Sequence, residues 1–362
     1  MIVLHISKSS MYSGMENVAI NIIKSMPEDI RCVYLTATGS VETKLLDNNI
    51  EYIAVEKVDE KVIKEVIDDI KPDILHAYEY DVSLMCTKVT DEIPIISHIY
   101  SLPKWVQKIG PKAVVYGGAC KNFARIILPN KAVEEKAWFK DKMEGKTDIL
   151  GVPFDAVKVF EKGYLAGTEM SAEKLAAFKS DLLFVGYLTE NKNPLEFIKI
   201  VKEVSKNHPD IKATIVGGGD LGSECLKLIE KLELSNNIKM AGMQYNPYIY
   251  MNQTKIMVAP SKFEGYGLAV VEAMAFGKPI LASRVGGFIV TVDDCCGKIC
   301  GTEKKPVDKE AFVSNIEELL TNSEIYRMKS DGARKRAKAL NNFDAYMEEV
   351  VKIYEDVYKT VK

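Results

Sequence analysis

Ile256-Met257-Val258-Ala259-Pro260-Ser261-Lys262-Phe263-Glu264-Gly265-Tyr266-Gly267-Leu268-Ala269-Val270-Val271-Glu272-Ala273-Met274-Ala275-Phe276-Gly277 is the stretch that decides the fold. A short apolar run, Ile256–Ala259, reads as a buried strand. A loop punctuated by Gly265 and Gly267 follows, then a helix. Strand, glycine loop and helix in that order belong to a parallel sheet covered by helices. Glycines let backbone approach a ligand closely, and the free N–H groups of a helix start favour anions such as phosphate. Glu264 and Glu272 flank the loop, and ionised carboxylates are strong acceptors for sugar hydroxyls. The competing reading is a surface loop with solvated carboxylates.

Outward from this segment the same pattern repeats. Asp181–Val185 reads as a strand, and Pro194 opens a helix with Phe197, Ile198, Val201 and Val204 inward. Lys212–Val216, Ile238–Ala241 and Pro279–Ala282 read as further strands. Upstream, Ile2–Ile6, Cys32–Thr36, Tyr52–Val55, Asp73–His76, Pro94–Ser97 and Arg125–Leu128 alternate with helical spacings such as Val62, Ile63, Val66, Ile67 and Ile70. The stretch from about Gly151 to Lys179 has weak periodicity and reads as a linker. Two α/β units in succession predict two Rossmann-like domains facing a central cleft, here residues 1–165 and 166–340. A closing helix at 341–362 carries Tyr346, Val350, Val351, Tyr354 and Val357 at helical spacing.

Further motifs sit at predicted strand ends. Gly186-Tyr187-Leu188-Thr189-Glu190-Asn191-Lys192-Asn193-Pro194 places a lysine over a loop before a helix. Lys192 is suited to a diphosphate as a flexible point charge, an ordinary surface lysine being the competing reading. Gly217-Gly218-Gly219-Asp220-Leu221-Gly222 matches a dinucleotide fingerprint formally. It lies on the second strand of its domain rather than the first, with no acid at the end of the next strand, which argues against a nicotinamide cofactor. Ser13-Gly14-Met15-Glu16 opens a helix after the first strand and suits a phosphate or the acceptor. His76 and His98 end strands and are expected to point toward the cleft.

These residues together resemble glycosyltransferase family 4, a retaining family of GT-B fold. Glu264 and Glu272, with seven residues between them, stand in the family's Glu-Gly-aromatic-Gly-Leu…Glu-Ala-Met-Ala frame. The resemblance implies that Glu264 contacts the donor sugar and Glu272 the ribose hydroxyls. Gly265, Tyr266, Gly267 and Leu268 would present backbone to the donor. Gly186, Tyr187, Lys192, Gly217, Met243 and Gly14 would complete its surroundings, and His98 would join Glu264 and Lys192 in catalysis. The closing helix would pack back on the first domain. Tyr187 departs from the family's usual arginine, and Phe288-Ile289-Val290-Thr291 replaces the acid usually found after Val285-Gly286-Gly287.

The implied activity is transfer of a sugar, with retention, from a UDP- or GDP-sugar to a glycan or lipid-linked hydroxyl acceptor in cell-surface polysaccharide or glycolipid synthesis. No cofactor beyond the donor and no metal is expected, and no Asp-x-Asp motif is present. A GT-B epimerase or phosphorylase fits the intact Glu264 frame less well. The reading kept from another class is a non-catalytic sugar-nucleotide-binding subunit of a glycosyltransferase complex.

Composition bounds the rest. A chain of 362 residues, 47% hydrophobic and 27% charged, is globular and long enough for two cores. Net charge of −3 excludes a general nucleic-acid binder. Between Lys104 and Lys146, nine lysines and one arginine face four carboxylates, a local excess of +6, and both tryptophans lie here. A solvated face is one reading, and contact with an anionic membrane is the other. Seven scattered cysteines fit a reducing compartment, and Cys295, Cys296 and Cys300 lack a fourth zinc ligand. With neither a leader-like start nor an 18-residue apolar run, the expected location is cytoplasmic, with peripheral attachment at the inner face of the membrane as the extension of that reading.

Overall fold

A computed structural model of the chain describes residues 1–168, 170–244 and 246–360. It forms two compact units, Met1–Pro153 with Asn342–Lys362, and Phe154–Asn341.

The first unit is built on seven parallel strands: β1 (Ile2–Ile6), β2 (Arg31–Ala37), β3 (Tyr52–Val55), β4 (Ile74–Tyr78), β5 (Ile95–His98), β6 (Phe123–Leu128) and β7 (Thr147–Ile149). Their order is β3-β2-β1-β4-β5-β6-β7. Connections leave β1 toward one edge and β4 toward the other, so the sheet switches direction between these neighbours. The inner strands are short apolar runs buried on both faces, as in Val3, Leu4 and Ile6 of β1. Only β7 was not legible, since Thr147-Asp148-Ile149 carries one apolar residue and Ile149 is exposed.

The second unit has six parallel strands: β8 (Ser180–Val185), β9 (Ala213–Val216), β10 (Ile238–Gly242), β11 (Thr254–Ala259), β12 (Ile280–Ala282) and β13 (Gly297–Ile299). Their order is β10-β9-β8-β11-β12-β13, so here the switch lies between β8 and β11. The helix Pro194–Ser205 buries Phe197, Ile198, Val201 and Val204, as its spacing predicts. Two parallel-sheet α/β units are the fold class expected from the sequence.

The expected linker is corrected by the structure. Residues Ala156–Thr168 and Ala172–Ala176 are helical, and the first unit ends at Pro153 rather than at 165. The longer helix buries Val159, Gly163 and Gly167, and a Cβ on Gly163 would meet the Phe276 ring at 2.5 Å. Gly163 and Gly167 take much of its packing face beside Val159, while Val157, Tyr164 and Leu165 are exposed, so the apolar stripe on the buried side is thin. Glu169, inside the expected linker, lies outside the described residues.

The closing helix spans Phe343–Lys359 and belongs to the first unit. Residues 361 and 362 of the expected helix lie outside the described residues. It buries Tyr346, Met347, Val350, Ile353, Tyr354 and Val357. At about 1.5–3 kcal/mol per buried side chain, that face contributes on the order of 10 kcal/mol before entropy is counted.

Candidate functional site

In the second unit, two loops leave the carboxyl ends of the adjacent strands β8 and β11, which is where open α/β sheets bind ligands. The β8 loop carries Gly186 to Asn193, and the β11 loop carries Pro260 to Gly267. Hydrogen bonds staple them together. The Asn191 carbonyl accepts from Lys262 N at 2.7 Å and from Phe263 N at 3.3 Å, and the Asn193 side-chain Nδ2 donates to the Pro260 carbonyl at 3.1 Å. The Glu264 carbonyl is in turn held by Gly287 N at 3.0 Å. That bond gives Val285-Gly286-Gly287 a role in shaping the loop.

Within this frame Lys192 Nζ donates to the Glu264 carboxylate in a half-buried ion pair. The pair lines a small pocket with Phe184, Val185, Gly267 and Phe288. Gly267, at φ 92°, caps the helix Leu268–Ala275 in a left-handed conformation that a side chain would strain, and its Cβ would meet Phe288 at 2.6 Å. Leu268 and Ala269 lie in the first turn, where the helix itself offers no acceptor for their N–H groups. A cation, a carboxylate and a helix start therefore converge on one small volume, an arrangement suited to holding a charged diphosphate beside hydroxyls.

The glycine run after β9 adjoins the same strand ends. A Cβ on Gly217 would lie 1.9 Å from the Gly186 carbonyl oxygen, so these loops touch backbone to backbone. Gly186 N bonds the Val216 carbonyl at 3.0 Å, and Leu188 N bonds the Gly218 carbonyl at 2.9 Å. Met243, after β10, is exposed and neighbours Gly218. Tyr187 and Tyr266 are partly buried, and burial raises the Tyr266 hydroxyl while the Arg336 charge opposes it.

Glu272 takes a different place. It is buried one turn further along the helix, outside the pocket lining, and Tyr248 Oη donates to it at 2.9 Å. Burial pushes its carboxyl up to about 7, against the Tyr248 bond and the Lys162 charge, which pull it down. Tyr248, Asn191 and Asn193 were missed by sequence reasoning. Asn193 had a signal: it precedes a helix-opening proline and adopts a left-handed φ of 57°. Tyr248 had none.

In the first unit, Gly14 is the first residue of the helix Gly14–Lys24, whose start is capped by Ser13 Oγ accepting from Met15 N at 3.2 Å. The buried Glu16 accepts from Ser13 and Ser7 hydroxyls. The expected open placement of His98 is corrected. Its side chain is 0% exposed, with Nδ1 2.9 Å from His76 Nε2 and Nε2 3.2 Å from Tyr346 Oη. Burial pulls its pKa down to about 3. The ring is sealed by an aromatic residue of the closing helix, which no local signal around His98 announces. His76 is equally buried.

Asp293, Cys295 and Cys296 place three potential ligand atoms within 4.8 Å of one another, one fewer than a structural zinc takes. Among the described residues no helix is long and apolar enough to cross a membrane. In the lysine-rich stretch, Trp105 packs edge-on against Tyr80, whereas Trp138, Ile109, Val114 and Val115 are exposed.

Two parallel α/β units with this loop pair at a switch point have the fold of the GT-B glycosyltransferases. The crystal structure of Anabaena HepE in complex with UDP and glucose superposes at a TM-score of 0.84, over 98% of this chain and all of that one, at 17% identity. WaaG, a glycosyltransferase involved in lipopolysaccharide biosynthesis, superposes at 0.73 over 98% of this chain and 99% of its own, at 14% identity. Residues 155–336 match the family of glycosyl transferases group 1, and the chain belongs to that family. An uncharacterised glycosyltransferase of Methanocaldococcus jannaschii is 29% identical over 241 residues, 62% of this chain and 58% of that protein. The Campylobacter jejuni N-acetylgalactosamine-N,N'-diacetylbacillosaminyl-diphospho-undecaprenol 4-alpha-N-acetylgalactosaminyltransferase is 24% identical over 244 residues, 65% of this chain and 60% of that protein. The chain thus spans less than two thirds of the length of these curated relatives.

Proposed function

We propose that this glycosyltransferase moves a sugar from a UDP- or GDP-sugar to a hydroxyl of a glycan or lipid-linked acceptor, with retention and without a metal. The observation that carries the reading is the Lys192–Glu264 pair beside the Gly267 helix start. Lys192 and the first N–H groups of that helix stabilise the diphosphate charge that develops as the sugar leaves. Glu264 is the one carboxylate among the described residues lining the pocket. Held by Lys192, it orients sugar hydroxyls rather than attacking the anomeric carbon. The acceptor then approaches on the face from which the diphosphate departs, which retains configuration. Glu272 takes the ribose hydroxyls, and Gly186, Tyr187, Gly217, Met243 and the Gly265–Leu268 backbone surround the rest of the donor. The His98 side chain supports the first unit from within. HepE in complex with UDP-glucose supports a uridine donor by analogy of fold, and the Campylobacter jejuni enzyme's name supports a lipid-linked acceptor.

A screen of UDP- and GDP-sugars by isothermal titration, followed by donor-hydrolysis assays on wild type and Glu264→Ala, tests this. Binding and turnover of at least one donor, lost in the variant, is the expected result. Binding with no turnover in either protein across the panel overturns the enzyme reading in favour of a non-catalytic subunit.

The same proposal puts the protein at an anionic membrane surface. Ile109, Val114, Val115 and Trp138 are exposed among Lys104, Lys108, Lys112, Lys136, Lys140 and Lys142, a mixture that suits a charged lipid interface. Sedimentation with phosphatidylglycerol vesicles at low salt, reversed by high salt, is expected. Failure to sediment at any salt removes this part of the reading.

A further inference from the structure

Three histidines stand on three neighbouring strands of the first unit: His5 on β1, His76 on β4 and His98 on β5. All are 0% exposed. Two tyrosines of the closing helix, Tyr346 and Tyr354, reach down to them. The contacts form one continuous chain, onto which Tyr100 Oη branches 3.4 Å from His98 Nδ1. Tyr78 Oη lies 2.9 Å from His5 Nδ1, and His5 Nε2 lies 3.5 Å from Tyr354 Oη. Tyr354 Oη lies 2.5 Å from His76 Nδ1, His76 Nε2 lies 2.9 Å from His98 Nδ1, and His98 Nε2 lies 3.2 Å from Tyr346 Oη.

Proton counting constrains this chain. A neutral imidazole has one N–H and one lone pair, and each phenol has one O–H to give. The four interior members, His5, Tyr354, His76 and His98, each donate once and accept once along the chain only if all links run in the same direction. All three histidines then carry their proton on the same nitrogen, Nε2 in one direction or Nδ1 in the other. A second proton makes His76 donate at both nitrogens and puts a positive charge among rings that are 0% exposed, with no carboxylate among the described residues bonded to any of them. A buried charge left unpaired is costly.

We propose that this chain makes the seating of the closing helix a proton-operated clamp, shut while the three imidazoles are neutral and opened by acid. The inference is independent of the donor site. It matters because the chain returns from the second unit to the first at Asn341/Asn342, directly into this helix.

The surroundings offer the imidazoles no counter-charge. Around them lie Cys32 and Tyr34 on β2, Tyr78 on β4 and Tyr100 after β5. Of the buried carboxyls in this unit, Glu16 is bonded to serine hydroxyls, and Glu79 accepts from Tyr100 N and Ser101 Oγ. Arg125 on β6 pairs with Asp148, with Glu349 and Asp356 of the closing helix nearby. Among the described residues no carboxylate bonds an imidazole.

Burial holds His5 and His98 down to about 3 and His76 well below its ordinary value. A depressed histidine contributes stability that is full above its unfolded value and is lost as pH falls through the window below it. With an unfolded value near 6.5, each ring released with the helix weakens seating by about tenfold at pH 5.5, and three together by up to about a thousandfold. Glu16 and Glu79 are shifted upward by burial and respond to acid in the opposite sense. Neither bonds the closing helix, so its release leaves both in place.

Hydrogen-exchange mass spectrometry on the full chain at pH 7.5 and 5.5, corrected for intrinsic exchange, tests the clamp. Peptides from 343–359 are expected to lose protection at pH 5.5 while peptides over β8 and β11 keep theirs. Protection of 343–359 at both pH values, or simultaneous opening of the whole chain, overturns the proposal. His76→Gln keeps a donor and an acceptor without titrating, and is expected to reduce acid opening about tenfold at pH 5.5. Should that variant unseat the helix at pH 7.5, imidazole 15N spectra of the wild type still decide. Three neutral rings sharing one tautomer are expected; mixed tautomers, or a ring titrating near 6.5 with the helix protected, refute it.

Discussion

Replacing Glu272 by glutamine is predicted to stabilise the second unit at alkaline pH while weakening nucleotide binding. Burial raises this carboxyl from 4.5 to about 7. A carboxyl raised in the fold is stable while protonated: its contribution is full below the unfolded value and is lost as pH rises to the folded one. A gap of about 2.5 units at about 1.36 kcal/mol each makes ionised Glu272 cost roughly 3 kcal/mol above pH 7. The substituted amide would still accept from Tyr248 and would escape that cost. For a unit of this size, about 2–4 °C per kcal/mol gives a melting advantage of roughly 6–12 °C at pH 8, shrinking toward zero by pH 5. The ligand side follows from the same carboxyl. Ribose hydroxyls donate to the ionised form, so binding lowers the pKa and expels a proton, about half a proton per nucleotide at pH 7. Calorimetry in phosphate and in Tris, whose ionisation enthalpies differ, reads that number directly. Glu272→Gln should release no proton and bind about tenfold or more weakly, having lost a charge-assisted bond. Equal binding enthalpies in the two buffers, together with a melting gap that ignores pH, would refute both the buried-acid argument and the ribose assignment.

Lys192→Met should weaken sugar-nucleotide binding by about 10- to 100-fold, the worth of one charge-assisted bond to the diphosphate, with titration calorimetry as the check. It should also cost about 1 kcal/mol of stability by leaving Glu264 half-buried without its cation. Gly217→Ala places a methyl 1.9 Å from the Gly186 carbonyl oxygen, and should destabilise the second unit by about 2 kcal/mol or more in urea titrations while leaving the first unit's transition in place. Tyr187→Arg should raise donor affinity by about tenfold if the family's usual cation belongs at this strand end; an unchanged Kd would mean that Lys192 alone serves the diphosphate.

What the sequence disclosed and what it withheld follow from where each constraint acts. The strand–loop–helix turns that carry Glu264, Gly265, Gly267 and Lys192 were legible because such a turn is local. Strand, glycine and helix start must follow one another in the chain, so spacing alone shows them. The pairing of Lys192 with Glu264 was not legible, because it depends on β8 and β11 being sheet neighbours although 72 residues separate the two side chains. The helix Ala156–Thr168 was lost for the opposite reason: two of its three buried residues are glycine, which carries no hydrophobic signal.

His98 shows the limit most clearly. Its position at a strand end was correct, and the rule that ligands gather there pointed it outward. A tyrosine 248 residues later, on a helix belonging to the same unit, fills the space above it. The helix periodicity around Tyr346 and Tyr354 was visible, and so were the histidines, but each alone reads as an ordinary core residue. Only the parallel register of β1, β4 and β5 lines the three rings up, and only then does one residue's protonation constrain its neighbours. Catalytic expectation at His98 and structural expectation at the closing helix are therefore answered by a single object. A ring whose two nitrogens are both committed within the core has no lone pair or proton left for a substrate unless the helix moves.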